Sequence, residues 1–230
     1  MRSSAEDVDS YFFSMIVKPD CRYFNGEKPC QFKRPCEGCG EYSPMGVRIL
    51  ILKLAAMGDV LRTTPLLSAL KREYPQSHVT WVVDPPSHGL LDGIENIDRL
   101  FKFNPDVCRQ LSVEKFDLLL SLDKDTRSAS LAMQVQAREK KGFGLSEYGN
   151  IFPLNPEAQY AFELGIDDEL KFRKNRKTYQ EIIFEAVGFQ YNREPYEMIA
   201  RPEDSEYAEA TLKQAGVRDG SILVGICPGA

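Results

Sequence analysis

Four of the six cysteines lie close together near the beginning of the chain, with a spacing that suggests metal binding. Cys21, Cys30, Cys36 and Cys39 follow the pattern C-x8-C-x5-C-x2-C. Crowded thiols in a reducing compartment favour metal ligation over disulfides, and thiolates hold Zn²⁺ or an iron–sulfur cluster. Glycines and prolines surround them, so a bound metal would supply the order that this segment cannot obtain from a core. We predict structural zinc, with an iron–sulfur cluster or unliganded thiols as alternatives.

A carboxylate that follows the first strongly apolar segment is a candidate for acid–base chemistry. Gly58-Asp59 opens a helix-like stretch, whose positive end favours an ionised aspartate. The simpler interpretation is that Asp59 caps the helix. Thr64-Pro65 competes for that position, because it is a good N-cap and N1 pair. A helix that begins at Thr64 leaves Asp59 projecting from a loop, whereas an earlier start makes Pro65 kink the helix.

Other charged residues are candidates for ligand contacts. Lys53 ends the first apolar segment and Arg62 lies one turn after Asp59, so each could meet an anionic group, although a lysine there can equally extend to solvent. Residues 171–177 carry five cations in seven positions, which indicates a solvated surface or a contact with lipid phosphates. His78 and His88 are too isolated for a histidine metal site, and His78 is expected to be partly exposed.

The hydrophobic pattern predicts the elements that position these residues. Residues 47–54 are apolar on both alternations, as in a strand that is covered on both faces. Further strands are predicted at 78–84, 99–103, 116–122 and 222–226, with a short one at 141–145. Helical stretches are predicted before residue 74 and at 131–137, 178–187 and 203–215. This alternation predicts an α/β fold with a mainly parallel, Rossmann-like sheet, which binds ligands at the carboxyl ends of its strands.

Composition excludes several classes of protein. With 43% hydrophobic and 27% charged residues the chain is globular, and its net charge of −5 disfavours a nucleic-acid binder. No apolar run reaches the length of a membrane span or has the form of a secretory signal, which predicts a cytoplasmic protein. The loop at 54–59 holds one glycine, so a dinucleotide-binding fingerprint is missing.

Four segments resemble glycosyltransferase family 9, the heptosyltransferase-like family. They are residues 47–70 (VRILILKLAAMGDVLRTTPLLSAL), 79–83 (VTWVV), 117–125 (DLLLSLDKD) and 224–230 (VGICPGA). The family has a GT-B fold of two Rossmann-like domains, of which the first binds the acceptor and the second the nucleotide-sugar. The resemblance therefore implies a leader and cysteine-rich segment at 1–46, an acceptor domain at 47–200, and a linker helix with the first strand of a truncated donor domain at 201–230.

The resemblance also implies an activity and a set of site residues. The family's base is the aspartate of its Gly-Asp motif, which falls on Asp59. It implies sugar transfer with inversion, from a nucleotide-sugar to a lipopolysaccharide-type glycan or glycolipid, at the inner face of the membrane. We assign acceptor binding to Lys53, Gly58 and Arg62, and donor binding to the last motif, Pro228, Gly229 and Ala230. Without a donor domain, the 230-residue chain alone is expected to be inactive.

Two departures and two alternatives accompany this interpretation. Ala55 and Ala56 stand where some heptosyltransferases have hydroxyl residues, and the cysteine segment lies outside the family's common core. Asp123-Lys124-Asp125 spells the D-x-D of metal-dependent GT-A glycosyltransferases, in which carboxylates hold a divalent ion against a diphosphate. The alternatives are therefore a GT-A-type transferase that uses Asp123 and Asp125, and a non-catalytic, metal-stapled interaction module.

Overall fold

The structure, a computed structural model, describes residues 17–26, 30–218 and 220–226. Within these residues, six strands form one sheet in the order β3-β2-β1-β4-β5-β6, in which β6 is antiparallel to β5 and the other neighbours are parallel. The strands are β1 (Arg48–Leu52), β2 (His78–Val83), β3 (Arg99–Lys102), β4 (Lys115–Ser121), β5 (Gln136–Leu145) and β6 (Ile151–Pro153). The predicted α/β, Rossmann-like sheet is confirmed.

Helices cover both faces of the sheet. They are α1 (Met57–Thr63), α2 (Pro65–Glu73), α3 (His88–Leu91), α4 (Pro105–Val113), α5 (Thr126–Gln134), α6 (Gln159–Glu163), α7 (Tyr179–Ala186) and α8 (Pro202–Gln214). Short 3-10 turns lie at Pro85–Ser87 and Pro156–Ala158, and a π-helical turn lies at Leu170–Lys174. In the described residues no helix is long and apolar enough to cross a membrane.

The central strand β1 is apolar on both alternations because it has a hydrophobic core on each side. Ile49 and Ile51 lie in the core that includes residues of α1, α2 and α7, whereas Leu50 and Leu52 lie in the core that includes residues of α4 and α5. All four side chains are fully buried. β1 pairs in parallel with β2 and β4, and its carboxyl end leads into the loop before α1.

The helix after β1 begins at Met57 and is interrupted at Pro65. Of the two helix starts that were considered from the sequence, the earlier one is therefore correct. Pro65 lacks the N–H that would continue the helical ladder, so a second helix starts there. Thr64 stabilises the break, because its hydroxyl donates to the Leu61 carbonyl over 2.8 Å and accepts the Glu197 N–H over 2.9 Å. Asp59 therefore lies in the first turn of a seven-residue helix.

The region from 131 to 153 differs from its prediction. The predicted helix at 131–137 ends at Gln134, and β5 begins at Gln136, five residues before the predicted strand. Polar residues fill the first half of β5 because β6 pairs with residues 143–145 alone, which leaves that half beside solvent. Gly142 adopts a φ of 95°, and a Cβ there would lie 1.9 Å from the Ser121 carbonyl oxygen. No hydrophobic pattern predicted β6, a three-residue strand.

The cysteine-rich segment docks at the amino-terminal edge of the sheet. Cys21 pairs with Pro44 in a β-bridge. Arg22 donates to the Ser77 carbonyl over 3.2 Å and lies 3.6 Å from an Asp98 oxygen. Ser77 and Asp98 immediately precede β2 and β3, so this edge is opposite to the one where ligands are expected.

Two further predictions are corrected. Residues 222–226 form no strand, and the side chains of Ile222 and Ile226 are 93% and 83% exposed. An apolar strand is stabilised by a paired neighbour and by cover on both faces, and the described residues supply neither. His78, expected to be partly exposed, is buried at 3% because it begins a central strand between β1 and β3.

Candidate active site

A cavity of about 680 Å³ opens at the carboxyl ends of β1 and β4, the edge where a parallel sheet binds ligands. Its wall includes the loop after β1, the start of α1, the residues after β4 and the beginning of α7. Its charged lining residues are Lys53, Asp59, Arg62, Asp123, Lys124, Asp125, Lys171 and Lys177. The cavity therefore combines carboxylates with an excess of cations.

Asp59 presents its carboxylate to this cavity. Its side chain is 39% exposed, and one oxygen lies 3.3 Å from an Arg62 nitrogen. The N-cap of α1 is Ala56, which has no side-chain cap, so the interpretation of Asp59 as an N-cap is wrong. Asp59 is the third residue of the helix, where the positive helix end favours its negative charge. A half-exposed carboxylate in a cleft is available to accept a proton.

Arg62 and Tyr179 hold the side of the cavity next to Asp59. The Arg62 guanidinium lies 4.0 Å above the centre of the Tyr179 ring, a cation–π contact that fixes the direction of the arginine. The Tyr179 hydroxyl lies 3.3 Å from the Thr63 hydroxyl. Burial raises the pKa of Tyr179, so its phenol is neutral at physiological pH. The Tyr179 ring thus helps to hold Arg62 in the position in which it pairs with Asp59.

Lys53 and Asp123, which both line the cavity, form a nearly buried ion pair. Their side chains are 4% and 8% exposed. Lys53 also donates to the Ala55 carbonyl, and Asp123 accepts the Leu54 N–H. Burial raises the pKa of Asp123, although the nearby Lys53 ammonium partly opposes this shift. Burial also acts to lower the pKa of Lys53, but Tyr179 and Asp123 hold that pKa above its usual value. The pair therefore clamps the loop that leads to Asp59.

Three lysines line the other side of the cavity. Lys124 donates to the Ala161 carbonyl over 2.8 Å, and burial together with the nearby Lys171 lowers its pKa. Lys171 and Lys177 come from the basic segment at 171–177, which the sequence indicated as charged but could not place at this cleft. A site with these cations attracts an anionic ligand.

Comparison with known proteins identifies the relationship. No family model matches the sequence. The lipopolysaccharide core heptosyltransferase OpsX of Haemophilus influenzae is 32% identical over 103 residues, which is 42% of this chain and 30% of the relative. The crystal structure of a family 9 glycosyl transferase from Veillonella parvula superposes with a TM-score of 0.56 at 22% identity, over 80% of this chain and 54% of that one. An Escherichia coli ADP-heptose lps heptosyltransferase II gives a TM-score of 0.48 at 16% identity, over 80% and 55%.

The chain resembles the heptosyltransferases of glycosyltransferase family 9. The resemblance to this family that was predicted from the four sequence segments is thereby confirmed, and the Veillonella structure confirms the predicted fold. The chain spans about half of that structure and the match covers about a third of the H. influenzae relative.

The predicted acceptor residues of this heptosyltransferase-like chain differ in how available they are to a ligand. Arg62 and Lys53 both line the cavity, but the Lys53 ammonium is already paired with Asp123. Gly58 is exposed, and a Cβ added there would meet no atom within 4 Å, so the space above it is open to a ligand. Pro228, Gly229 and Ala230 lie outside the described residues.

The D-x-D carboxylates of the heptosyltransferase-like chain already have partners. Asp123 is paired with Lys53, whereas Asp125 caps α5 by accepting the Arg127 N–H over 2.7 Å and also contacts the Arg127 guanidinium. Arg127 also binds both oxygens of Asp84, at 3.1 and 3.0 Å, which joins the ends of β2 and β4. Asp123 and Asp125 thus have separate structural roles in the described part of the chain.

Some cavity residues of this heptosyltransferase-like chain were not predicted from the sequence. They come mainly from segments that are distant from Asp59 along the chain. Tyr179 lies within the capping box of α7, in which Thr178 and Glu181 satisfy each other's backbone N–H groups. That signal marks a helix start, and nothing in it indicates that the first residue faces Asp59. Lys124, the middle residue of the D-x-D pattern, and Asn175, within the basic segment 171–177, also line the cavity, which neither pattern indicated.

Proposed function

We propose that this chain is the acceptor-binding part of an inverting glycosyltransferase that moves a heptose-like sugar from a nucleotide-sugar to a lipopolysaccharide-type acceptor. The observation that carries the proposal is the half-exposed Asp59 carboxylate in a cationic cleft at the carboxyl edge of a family 9-like sheet. The similarity to a lipopolysaccharide core heptosyltransferase supports the substrate class.

Asp59 acts as the general base in this proposal. The oxygen of an acceptor hydroxyl attacks the anomeric carbon, and its proton passes to the Asp59 carboxylate. The bond between that carbon and the diphosphate breaks on the opposite face, and the nucleoside diphosphate leaves with the electron pair. A carboxylate is a weak base, but the attacking hydroxyl becomes acidic as the new bond forms, so proton transfer late in the reaction suffices. Attack opposite to the leaving group inverts the anomeric centre.

Arg62 orients this base. The guanidinium is held over the Tyr179 ring at 4.0 Å and contacts Asp59 at 3.3 Å, so it limits the directions that the carboxylate can take. Arg62 is itself 45% exposed, which leaves donor groups free for an acceptor phosphate or carboxylate. The same side chain can therefore position the base and bind the acceptor.

The acceptor in this proposal is anionic. Arg62, Lys124 and Lys171 surround a cavity whose carboxylates Asp123 and Asp125 are already paired with other cations. The positive charge that remains favours a glycan with phosphate or carboxylate groups. Phe172, 71% exposed within the basic segment, would add an apolar contact if that segment touches the membrane that holds a glycolipid.

Substitution of the base in the full-length protein tests the proposal. With ADP-heptose and a truncated lipopolysaccharide core oligosaccharide as substrates, Asp59→Asn is expected to lower kcat by about 10² to 10⁴. KM and the thermal midpoint are expected to change little, because the side chain is half-exposed and the two residues have the same size. Product formation is measured by mass spectrometry.

Asp106→Asn is the matched control. Asp106 also lies in the first turn of a helix and pairs with an arginine three residues later, Arg109 at 2.9 Å, but it is 91% exposed outside the cleft. This variant is expected to keep wild-type turnover. Wild-type kcat in Asp59→Asn, or an equal loss in the control, would contradict the base. Loss of transfer on chelation of divalent ions would instead favour the GT-A-type mechanism at Asp123 and Asp125.

A further inference from the structure

Four cysteines line one small cavity at the amino-terminal edge of the sheet. Cys21, Cys30, Cys36 and Cys39 all line a space of about 20 Å³. The other lining residues are Lys18, Tyr23, Phe24, Phe32, Arg34, Glu41 and Tyr42. The fold thus brings together cysteines that span nineteen positions of the sequence, and it encloses them with aromatic rings and two cations.

Each cysteine begins a tight turn. The backbone carbonyl of each accepts the N–H of the residue three positions later: Phe24 over 2.9 Å, Lys33 over 2.9 Å, Cys39 over 3.2 Å and Tyr42 over 3.4 Å. Gly38, between the last two cysteines, adopts a φ of 63°, a conformation that other residues rarely take. These four turns fix the backbone from which the thiols project.

This segment has almost no hydrophobic core of its own. Among its described residues, 17–26 and 30–46, Cys21 is the only buried one. The segment also contains no helix or regular strand within those residues, and its link to the sheet rests on polar contacts such as Arg22 with Asp98. A short segment without a core needs a cross-link to hold one conformation.

We propose that the four cysteines bind one Zn²⁺ ion with a structural role. Zinc with four cysteine ligands is a closed, tetrahedral site with Zn–S distances of about 2.3 Å. The four cysteines that line this one cavity match the ligand number of such a site. In the described residues, no three histidine, cysteine or acidic side chains are already arranged around one point, so the thiols must turn inward as the ion binds.

Binding replaces protons by the metal. Four thiols release four protons and leave a zinc–tetrathiolate with two negative charges, and no electron is transferred. Lys18 and Arg34 line the cavity, where their positive charge would offset the two negative charges of the zinc–tetrathiolate. Because Arg22 anchors the segment to residues that precede β2 and β3, the ion lies at the edge opposite to Asp59 and takes no part in sugar transfer.

Metal analysis of the full protein, purified anaerobically with a thiol reductant, tests this proposal. We expect about one zinc per chain, and cobalt titration of the metal-free protein should give the visible bands of tetrahedral thiolate coordination. The Cys36→Ser/Cys39→Ser variant is expected to lose the ion. The control Cys108→Ser, whose half-buried cysteine lies outside the cavity on α4, is expected to keep it.

Three results would overturn the proposal. They are wild-type protein with neither bound metal nor a cobalt spectrum, a brown protein with iron and labile sulfide, and zinc retained in Cys36→Ser/Cys39→Ser. If that variant does not fold, the metal content and cobalt titration of the wild-type protein decide the question alone. None of these measurements uses transferase activity, so the proposal stands or falls separately from the role of Asp59.

Discussion

Asp123→Asn is expected to destabilise the fold, because Asp123 is the only carboxylate that neutralises a buried lysine within the described residues. Lys53 and Asp123 are 4% and 8% exposed, and their partners on the backbone, Ala55 and Leu54, follow β1 directly. An asparagine at this position still accepts the Leu54 N–H, but it leaves the Lys53 ammonium without a counter-charge. The loop between β1 and α1 then loses one of the contacts that hold it.

The size of the effect follows from the burial of the pair. Removing one partner of a buried ion pair costs about 3–5 kcal/mol, and the lower end applies here because the backbone acceptor is kept. For a chain of this size about 3 kcal/mol lowers the midpoint of thermal unfolding by roughly 6–12 °C. An exposed pair would cost less than about 1 kcal/mol. The two cases are therefore separable by urea unfolding.

A double-variant cycle shows whether the charges depend on each other. Lys53→Met alone leaves a buried carboxylate, and Asp123→Asn alone leaves a buried ammonium. The double variant leaves neither, so its loss is expected to be at least about 2 kcal/mol smaller than the sum of the single losses. Additive losses, or a loss below about 1 kcal/mol in Asp123→Asn, would refute the view that this pair clamps the loop.

Two other changes address the cleft and the opposite edge of the sheet. Gly58→Ala adds a methyl group that meets no protein atom within 4 Å. Because the acceptor is proposed to bind there, KM is expected to rise several-fold with no loss of thermal stability. An unchanged KM would show that Gly58 does not contact the acceptor. Burial lowers the pKa of His78 from 6.5 to about 4. Asp98 opposes this shift, whereas the positive charges of Arg99, Arg22 and Arg48 add to it. Because the unfolded chain binds this proton first, stability is expected to fall as the pH drops from 6.5 towards 4, by up to about 3 kcal/mol; His78→Leu should flatten that slope, measured by urea unfolding at each pH.

The sequence predicted the centre of the sheet well and its margin poorly, for physical reasons. Residues 48–52 are apolar on both alternations because two cores cover them, and this pattern is visible without a structure. The first half of β5 is polar because β6 covers only its last three residues, so no hydrophobic pattern marks it. Residues 222–226 have the pattern of a buried strand, but they remain exposed because no described neighbour pairs with them.

Within the site, local motifs were predictable and long-range pairings were not. The Gly-Asp motif predicted that Asp59 follows the carboxyl end of β1, because a strand followed by a helix start is a local feature of the sequence. The pairing of Lys53 with Asp123 spans 70 residues, and the contact of Tyr179 with Thr63 spans 116. Such contacts depend on how the crossovers bring strand ends together, which residue spacing does not encode.

The parallel arrangement separates the two proposed centres along β1. The cysteine segment is tied to residues that precede β2 and β3, whereas Asp59 follows the carboxyl end of β1. A strand of five residues spans about 16 Å, so the cavity of the thiols and the cleft are at least that far apart along the sheet. Over this distance, and across a sheet with a core on each face, loss of zinc changes the cleft only through the stability of the whole domain. A zinc-free protein that still folds should therefore keep its pH dependence of transfer, even where its thermal midpoint falls.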